Sequence, residues 1–223
     1  MERIGHRGAR RELPENTIPA FMRAFERGAD AIELDVHATR DGVVVVHHDP
    51  TLGVYAGELN HRAIAELDWA QVSRVRLAPG VGIPTLEDVL HGVPATGTVY
   101  VEIKATAIEH LVEAELARTD RRCAVHSFDF GVVTRMRELA PKTPRGILLD
   151  RAAKNIEILM ESVGARDVWP EWTLIDNTLV DRVHRAGGRV IAWTVNTRAG
   201  AEQLVAMGVD GLCTDDIRLL DGL

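Results

Sequence analysis

The chain has 223 residues, 46% of them hydrophobic, 26% charged and 4% aromatic, with a formal net charge of −7. That is globular composition, and α/β barrels of about 200–250 residues fold as one unit. The acidic balance argues against nucleic acid or an anionic membrane surface as partner, and the low aromatic content argues against base-stacking platforms.

Short apolar strands alternate with amphipathic helices along the whole chain. The first strand is expected at Arg3–Arg7, followed by "PENT" (Pro14–Thr17), a helix start with Asn16 or Thr17 as cap. Ala20, Phe21, Ala24 and Phe25 share one face of that helix. Further strands are expected at Ala31–Ala38, Thr98–Lys104, Ala124–Ser127, Arg145–Leu149, Asp167–Pro170, Arg189–Thr194 and Gly211–Thr214. After "RDG", Val43–His48 reads as a hairpin extension of the second strand. The segment Thr51–Gly82 is the least regular, with one short helix expected near Ala63–Ala70. Helical faces recur at Leu111/Val112/Leu116, Val132/Val133/Met136, Leu179/Val180/Val183 and Ala201/Leu204/Val205. Gly187 and Gly208 follow the last two of these, as helix stops do.

Eight strands in βα repetition predict a closed (β/α)8 TIM barrel over residues 1–223, with 51–82 as a short irregular insertion. An open doubly wound sheet is the alternative, but no Gly-rich dinucleotide loop follows the first strand. Cys123 and Cys213 sit in or beside apolar runs and read as small buried hydrophobes. No apolar run approaches the roughly 18–20 residues of a membrane span, and "MERIGHRGAR" has no apolar signal region. The expectation is a cytoplasmic protein without stable membrane insertion.

The stretch "AIELDVH" (Ala31–His37) places Glu33 and Asp35 on one face of a strand, roughly 7 Å apart. Two carboxylates inside a barrel repel each other and lose hydration unless something positive compensates. Hard oxygen donors side by side suit Mg²⁺ or Ca²⁺. "VYVEIKA" (Val99–Ala105) repeats the spacing with Glu102 and Lys104, offering a third carboxylate and a cation. His6 and His48 end neighbouring elements, and imidazoles titrate near neutrality, as general acids and bases must. Arg7 offers a guanidinium fork for phosphate oxygens. Glu15 and Asn16 either cap the first helix or brace the His6–Arg7 loop. His37 shares the carboxylate face without an assigned task, and His47 points to the other face from His48. Trp193 is either core or an apolar wall for a substrate.

In this order, "GHRGAR", "PENTIPAF", "AIELDVHATRDGVVVVHHDPTL", "IPTLEDVL", "VYVEIK", "SFD", "VIAWTVN" and "GVDGLCTDD" resemble the glycerophosphodiester phosphodiesterase family across essentially the whole chain. The resemblance implies a TIM-barrel hydrolase that cleaves a small-molecule glycerophosphodiester to sn-glycerol 3-phosphate and an alcohol. It implies that Glu33, Asp35 and Glu102 bind one divalent cation, Mg²⁺ or Ca²⁺. His6 and His48 would be the general base and acid, in either assignment. Arg7 and Lys104 would bind phosphate, and Trp193 would line the substrate pocket. Two departures stand out. Gly53-Val54-Tyr55 replaces the usual Arg-Thr pair and longer insertion, so a capping subdomain is short or absent, and "TDD" lacks the following proline. A non-catalytic phosphodiester-binding barrel would have a broken residue set. A sugar-phosphate isomerase or aldolase would give no reason for two rim histidines beside Arg7.

Overall fold

The structure is a computed structural model and describes residues 1–223. Its strands are β1 (Glu2–His6), β2 (Ala31–Ala38), β3 (Val44–Val46), β4 (Arg76–Ala78), β5 (Val81–Gly82), β6 (Thr98–Ile103), β7 (Cys123–Ser127), β8 (Arg145–Leu149), β9 (Asp167–Pro170), β10 (Arg189–Ala192) and β11 (Gly211–Thr214). Its α-helices are α1 (Ile18–Glu26), α2 (Trp69–Val72), α3 (Leu86–Gly92), α4 (Glu109–Leu116), α5 (Phe130–Leu139), α6 (Ile156–Val163), α7 (Asn177–Arg185) and α8 (Arg198–Ala206).

Strands β1, β2 and β6 to β11 pair in parallel around a ring, and the β1–β2 pairing closes it. This is the (β/α)8 barrel, and closure leaves no parallel edge unpaired. β3 adds antiparallel to the outer end of β2, through Val36↔Val46 and Ala38↔Val44, where "RDG" turns the chain back. Each helix start has a local cause. The Thr17 hydroxyl accepts from the Ala20 amide at 3.3 Å, so Thr17 is the cap of α1 and Asn16 is released for other work. Thr85 and Asp88 form a reciprocal capping box on α3. Asp176 and Thr197 cap α7 and α8 by accepting from the Leu179 and Gly200 amides. Gly187 and Gly208 take positive φ beyond α7 and α8 and release the chain into the next strand.

The barrel lumen is filled by one residue from each barrel strand: Ile4, Ala31, Tyr100, Ala124, Leu148, Trp169, Ile191 and Cys213. Small residues beside Tyr100 and Trp169 make room for the rings. A Cβ on Gly146 would fall 2.9 Å from the Trp169 indole, so only glycine fits there. Opposite-parity residues, among them Ile32, Leu34, Val101, Val125, Ile147 and Val168, face outward into two larger apolar layers under the helices. Fully burying each such side chain contributes about 1.5–3 kcal/mol. The floor is polar but paired: Tyr100 Oη donates to Glu2 at 2.7 Å and Arg189 donates to Glu2 at 2.6 Å.

Expected boundaries shift by one or two residues: β1 starts at Glu2 and ends at His6, the extension β3 covers only Val44–Val46, β6 ends at Ile103, β7 starts at Cys123 and β10 ends at Ala192. Arg7 turns out of the strand with φ 55°, and Trp193 keeps only a single bridge, to Glu171. The 51–82 segment has more order than expected. It holds 3₁₀ turns at Gly53–Leu59 and Ile64–Glu66, helix α2 and the β4–β5 hairpin. Leu52, Ile64, Leu67, Val72, Val75 and Ile83 bury Val45 beneath them as a satellite core.

Gly8 is the residue on which the β1–α1 turn depends. Its φ is 82°, and a Cβ there would sit 2.6 Å from the Ala20 carbonyl carbon. Gly8→Ala combines a left-handed penalty with a backbone overlap, and should cost about 2–4 kcal/mol in chemical denaturation. A loss below about 0.5 kcal/mol would show that the turn does not hold α1 in place.

Candidate active site

Sheet register decides which side chains meet. His6 pairs across with Glu33, Asp35 with Glu102, and Glu102 with His126. Side chains alternate along a strand, so Glu33, Asp35 and His37 on β2 share the inward face with Glu102 on β6 and His126 on β7. All lie on the C-terminal side of the apolar ring of the lumen. A cavity of about 230 Å³ opens there and is lined by His6, Arg7, Glu33, His48, Glu102, Lys104, His126, Phe128 and Trp193. Asp35 lies beneath it, fully buried. A larger concavity, about 820 Å³, lies at the opposite end around Glu2 and Arg121 and contains none of the expected site residues.

The histidines are each held by a carboxylate. His6 Nδ1 lies 2.6 Å from Asp215 Oδ1. Asp215 Oδ2 accepts from Asn196 Nδ2 at 2.8 Å, and Asn196 Oδ1 accepts from the Asp215 amide at 3.0 Å. Burial works to raise the Asp215 carboxyl, but the His6 and Asn196 bonds hold it below the usual carboxylate range. An ionised Asp215 fixes the His6 proton on Nδ1 and leaves Nε2 for chemistry. His48 Nδ1 lies 2.7 Å from Asp49 Oδ1, the same device at the open rim. His37 acquires a task here, because its Nε2 lies 3.1 Å from the His48 carbonyl oxygen. His47 faces away from the lumen, toward the Thr51 carbonyl at 3.2 Å.

The carboxylates and cations interlock. Arg7 donates its amide to Glu33 Oε2 at 3.2 Å and Nη1 to Glu15 at 2.9 Å, while Nε lies 3.1 Å from Asp35 Oδ2. Only a residue turned out of the strand reaches all three, which accounts for its left-handed backbone. Asn16, also left-handed at φ 57°, donates Nδ2 to Asp35 Oδ2 at 2.8 Å. Glu15 and Asn16 therefore brace the loop, and capping is left to Thr17. Lys104 Nζ lies 2.8 Å from Glu102 Oε1 and 3.5 Å from Asp35 Oδ1. Burial and then the Asp35 charge push Glu33 upward, and the same two causes push Glu102 upward. Burial opposes ionisation of Asp35 as well, yet Arg7 and Lys104 keep it below the usual range.

Were Glu33, Asp35 and Glu102 all ionised, they would carry one negative charge more than Arg7 and Lys104 offset. Asp35 Oδ1 is buried with no hydrogen-bond donor. Crowded hard oxygens with an unpaired buried lone pair fit a divalent cation. Ligand atoms of Glu33, Glu102 and His126 lie within 4.8 Å of one another, a grouping that could hold a metal ion. Asp35 adjoins this group but is not in it. His126 is absent from the sequence-based residue set. The lone histidine of "CAVHSF" gave no signal by itself, and only the β6–β7 register puts it beside Glu102. Asp215 was likewise visible only as part of "TDD".

The apolar wall completes the pocket. Trp193 donates Nε1 to the Trp169 carbonyl at 2.8 Å, and Phe128 meets it edge-on at 5.4 Å between ring centres. Phe128 is 40% exposed at the rim.

The cavity thus gathers two carboxylate-held histidines, two cations and three buried carboxylates at one end of the barrel, a set of charges suited to an anionic substrate. Residues 6–219 match the glycerophosphoryl diester phosphodiesterase family, and the chain belongs to that family. It is a phosphoric diester hydrolase of the glycerophosphodiester phosphodiesterase type. A glycerophosphodiester phosphodiesterase from Caldanaerobacter subterraneus subsp. tengcongensis is 31% identical over 234 residues, covering 99% of this chain and 96% of the relative. Among solved structures, a Thermotoga maritima glycerophosphodiester phosphodiesterase superposes with a TM-score of 0.84 at 25% identity, covering 99% of this chain and 96% of that one. An Oleispira antarctica phosphodiesterase, in complex with the product sn-glycerol-3-phosphate, shares the fold at a TM-score of 0.88 and 21% identity, covering 100% and 97% of the two chains. No helix of this protein is long and apolar enough to cross a membrane.

Asp215→Asn keeps the shape but removes the charge that fixes the His6 proton. The expected result is a fall in kcat on the order of 10²-fold or more with little change in KM or thermal midpoint. Unchanged kcat would show that Asp215 does not position His6.

Proposed function

We propose that this protein hydrolyses glycerophosphodiesters to sn-glycerol 3-phosphate and an alcohol in the cytoplasm, with His6 and His48 moving the protons. The observation that carries the reading is the pair of histidines on one small cavity, each with Nδ1 on a carboxylate. Both present Nε2 as the working nitrogen. One takes the proton from the attacking hydroxyl, and the other delivers a proton to the leaving alkoxide. Arg7 and Lys104 bind the phosphodiester anion. About 230 Å³ suits a glycerol phosphate rather than a whole phospholipid, so the alcohol projects past Phe128 at the rim. The apolar wall of Trp193 and Phe128 packs the glycerol carbons.

An anionic substrate requires the excess negative charge of the ionised acids to be offset. Glu33, Asp35 and Glu102 would hold one divalent cation, Mg²⁺ or Ca²⁺ on their oxygen chemistry, which would supply Lewis-acid charge at the phosphoryl oxygens. The fit rests on the unpaired Asp35 Oδ1 and on the upward push that Asp35 exerts on Glu33 and Glu102.

The direct test is release of glycerol 3-phosphate from glycerophosphodiesters. A chelator should abolish it and added Mg²⁺ or Ca²⁺ should restore it, while His6→Ala and His48→Ala should each lose about 10²–10⁴-fold in kcat. Full turnover in chelator would remove the cation from the mechanism, and near-wild-type kcat in either variant would remove that histidine.

Thermal stability gives a second check. Without an ion, Glu33 and Glu102 keep their protons to higher pH than in the unfolded chain, where carboxylates titrate near about 4.3. Their stabilising contribution is present below that value and is lost as pH rises through the folded value. A cation on the ionised carboxylates offsets the loss, so the rise in Tm on adding cation should be larger near about pH 8 than near about pH 5. Equal rises would separate the ion from these acids.

A further inference from the structure

His126 sits at the heart of the pocket, yet the proton chemistry does not use it. Its side chain is 1% exposed. Neither ring nitrogen has a hydrogen-bond partner, an unusual state for a buried imidazole. The ring is held in place by packing, with Trp169 at 4.5 Å and Tyr100 at 6.3 Å between ring centres. Packing alone would be served as well by an apolar side chain, without the cost of two orphaned nitrogens. The direction of the ring indicates a different use. Nε2 lies 3.6 Å from Glu33 Oε1, too far for a hydrogen bond and near enough to share a ligand. A nitrogen of His126 and oxygens of Glu33 and Glu102 lie within 4.8 Å of one another. An ion bound at about 2.1 Å by each would draw its donors to roughly 3–4.2 Å, a small closure of flexible carboxylates.

We propose that His126 is a ligand of the bound cation, and that its nitrogen shifts the preference of this site from Mg²⁺ and Ca²⁺ to a first-row transition ion such as Mn²⁺. This rests on the reading of the carboxylate group as a cation site. Carboxylates alone suit hard cations, whereas imidazole beside them favours ions that bind nitrogen well. Glu102 and His126 face each other on adjacent strands, so the mixed donor pair is built into the barrel wall.

The test uses the full chain loaded with Mn²⁺ and pulsed electron paramagnetic resonance, which reads nitrogen bound to the ion without any turnover. Wild type should show ¹⁴N modulation, and His126→Leu and His126→Gln should both lose it. Calorimetric titration should show Mn²⁺ affinity falling about 10–100-fold in the variants, with Mg²⁺ affinity nearly unchanged. Should one variant fail to fold, by circular dichroism, the other and the wild-type spectrum decide. Mn²⁺ bound without ¹⁴N modulation, or modulation that persists in the variants, overturns the role of His126 and leaves the cation site standing. If wild type binds neither Mn²⁺ nor Mg²⁺, both readings fall.

Discussion

Three carboxylates inside one barrel set the terms for everything around them. Removing each from water costs several kcal/mol unless charge and hydrogen bonds replace the lost hydration. Asp35 receives most of the replacement: Arg7 and Lys104 on its two oxygens, and the Asn16 amide. Glu33 has the Arg7 amide, and Glu102 has Lys104. Local features that look unrelated follow from this requirement. The left-handed backbone at Arg7 lets one residue serve Glu33, Asp35 and Glu15 together, and Gly8 allows the turn to lie against α1. The left-handed Asn16 aims its amide inward rather than at the helix it precedes.

The division between strands and loops gives the site its character. Acids and His126 stand on strands, where ladder hydrogen bonds and packing on the lumen ring fix them. His48 stands on a loop beyond β3, and His6 closes its strand, each steadied by an aspartate rather than by burial. Charge is therefore held rigidly inside the barrel, and His6 and His48 sit at its more exposed rim. The apolar ring beneath excludes water from below, so the ion pairs act in a lower dielectric than at a surface. His37 links the two layers, since it rises from the acidic strand to hold the His48 carbonyl.

The 51–82 segment lies beside the mouth, where Thr51, Tyr55 and Leu77 line a second cavity with His48. Its side chains close over Val45 and form a satellite core beside the barrel. Phe128 remains exposed at the rim of the cavity.

Periodicity sufficed for the barrel, because strand alternation, helical faces and glycine stops are local signals that each repeat restates. It also exposed Glu33, Asp35, Glu102 and Lys104, since a charge on an otherwise apolar strand is anomalous in itself. His126 and Asp215 carried no such anomaly. A single histidine in "CAVHSF" or an aspartate in "TDD" acquires meaning only when register brings it against Glu102 or His6. The tasks of Glu15 and Asn16, left open between cap and brace, were likewise settled by where the loop folds back on Asp35. The sequence by itself determined the alternation, the closed count of strands and the acids that face inward. Only the tertiary structure decided which carboxylate holds which histidine, which acids crowd together and which nitrogen stands among them. Those choices depend on strand register between segments distant in the chain, and register is set by the whole ring closing at once.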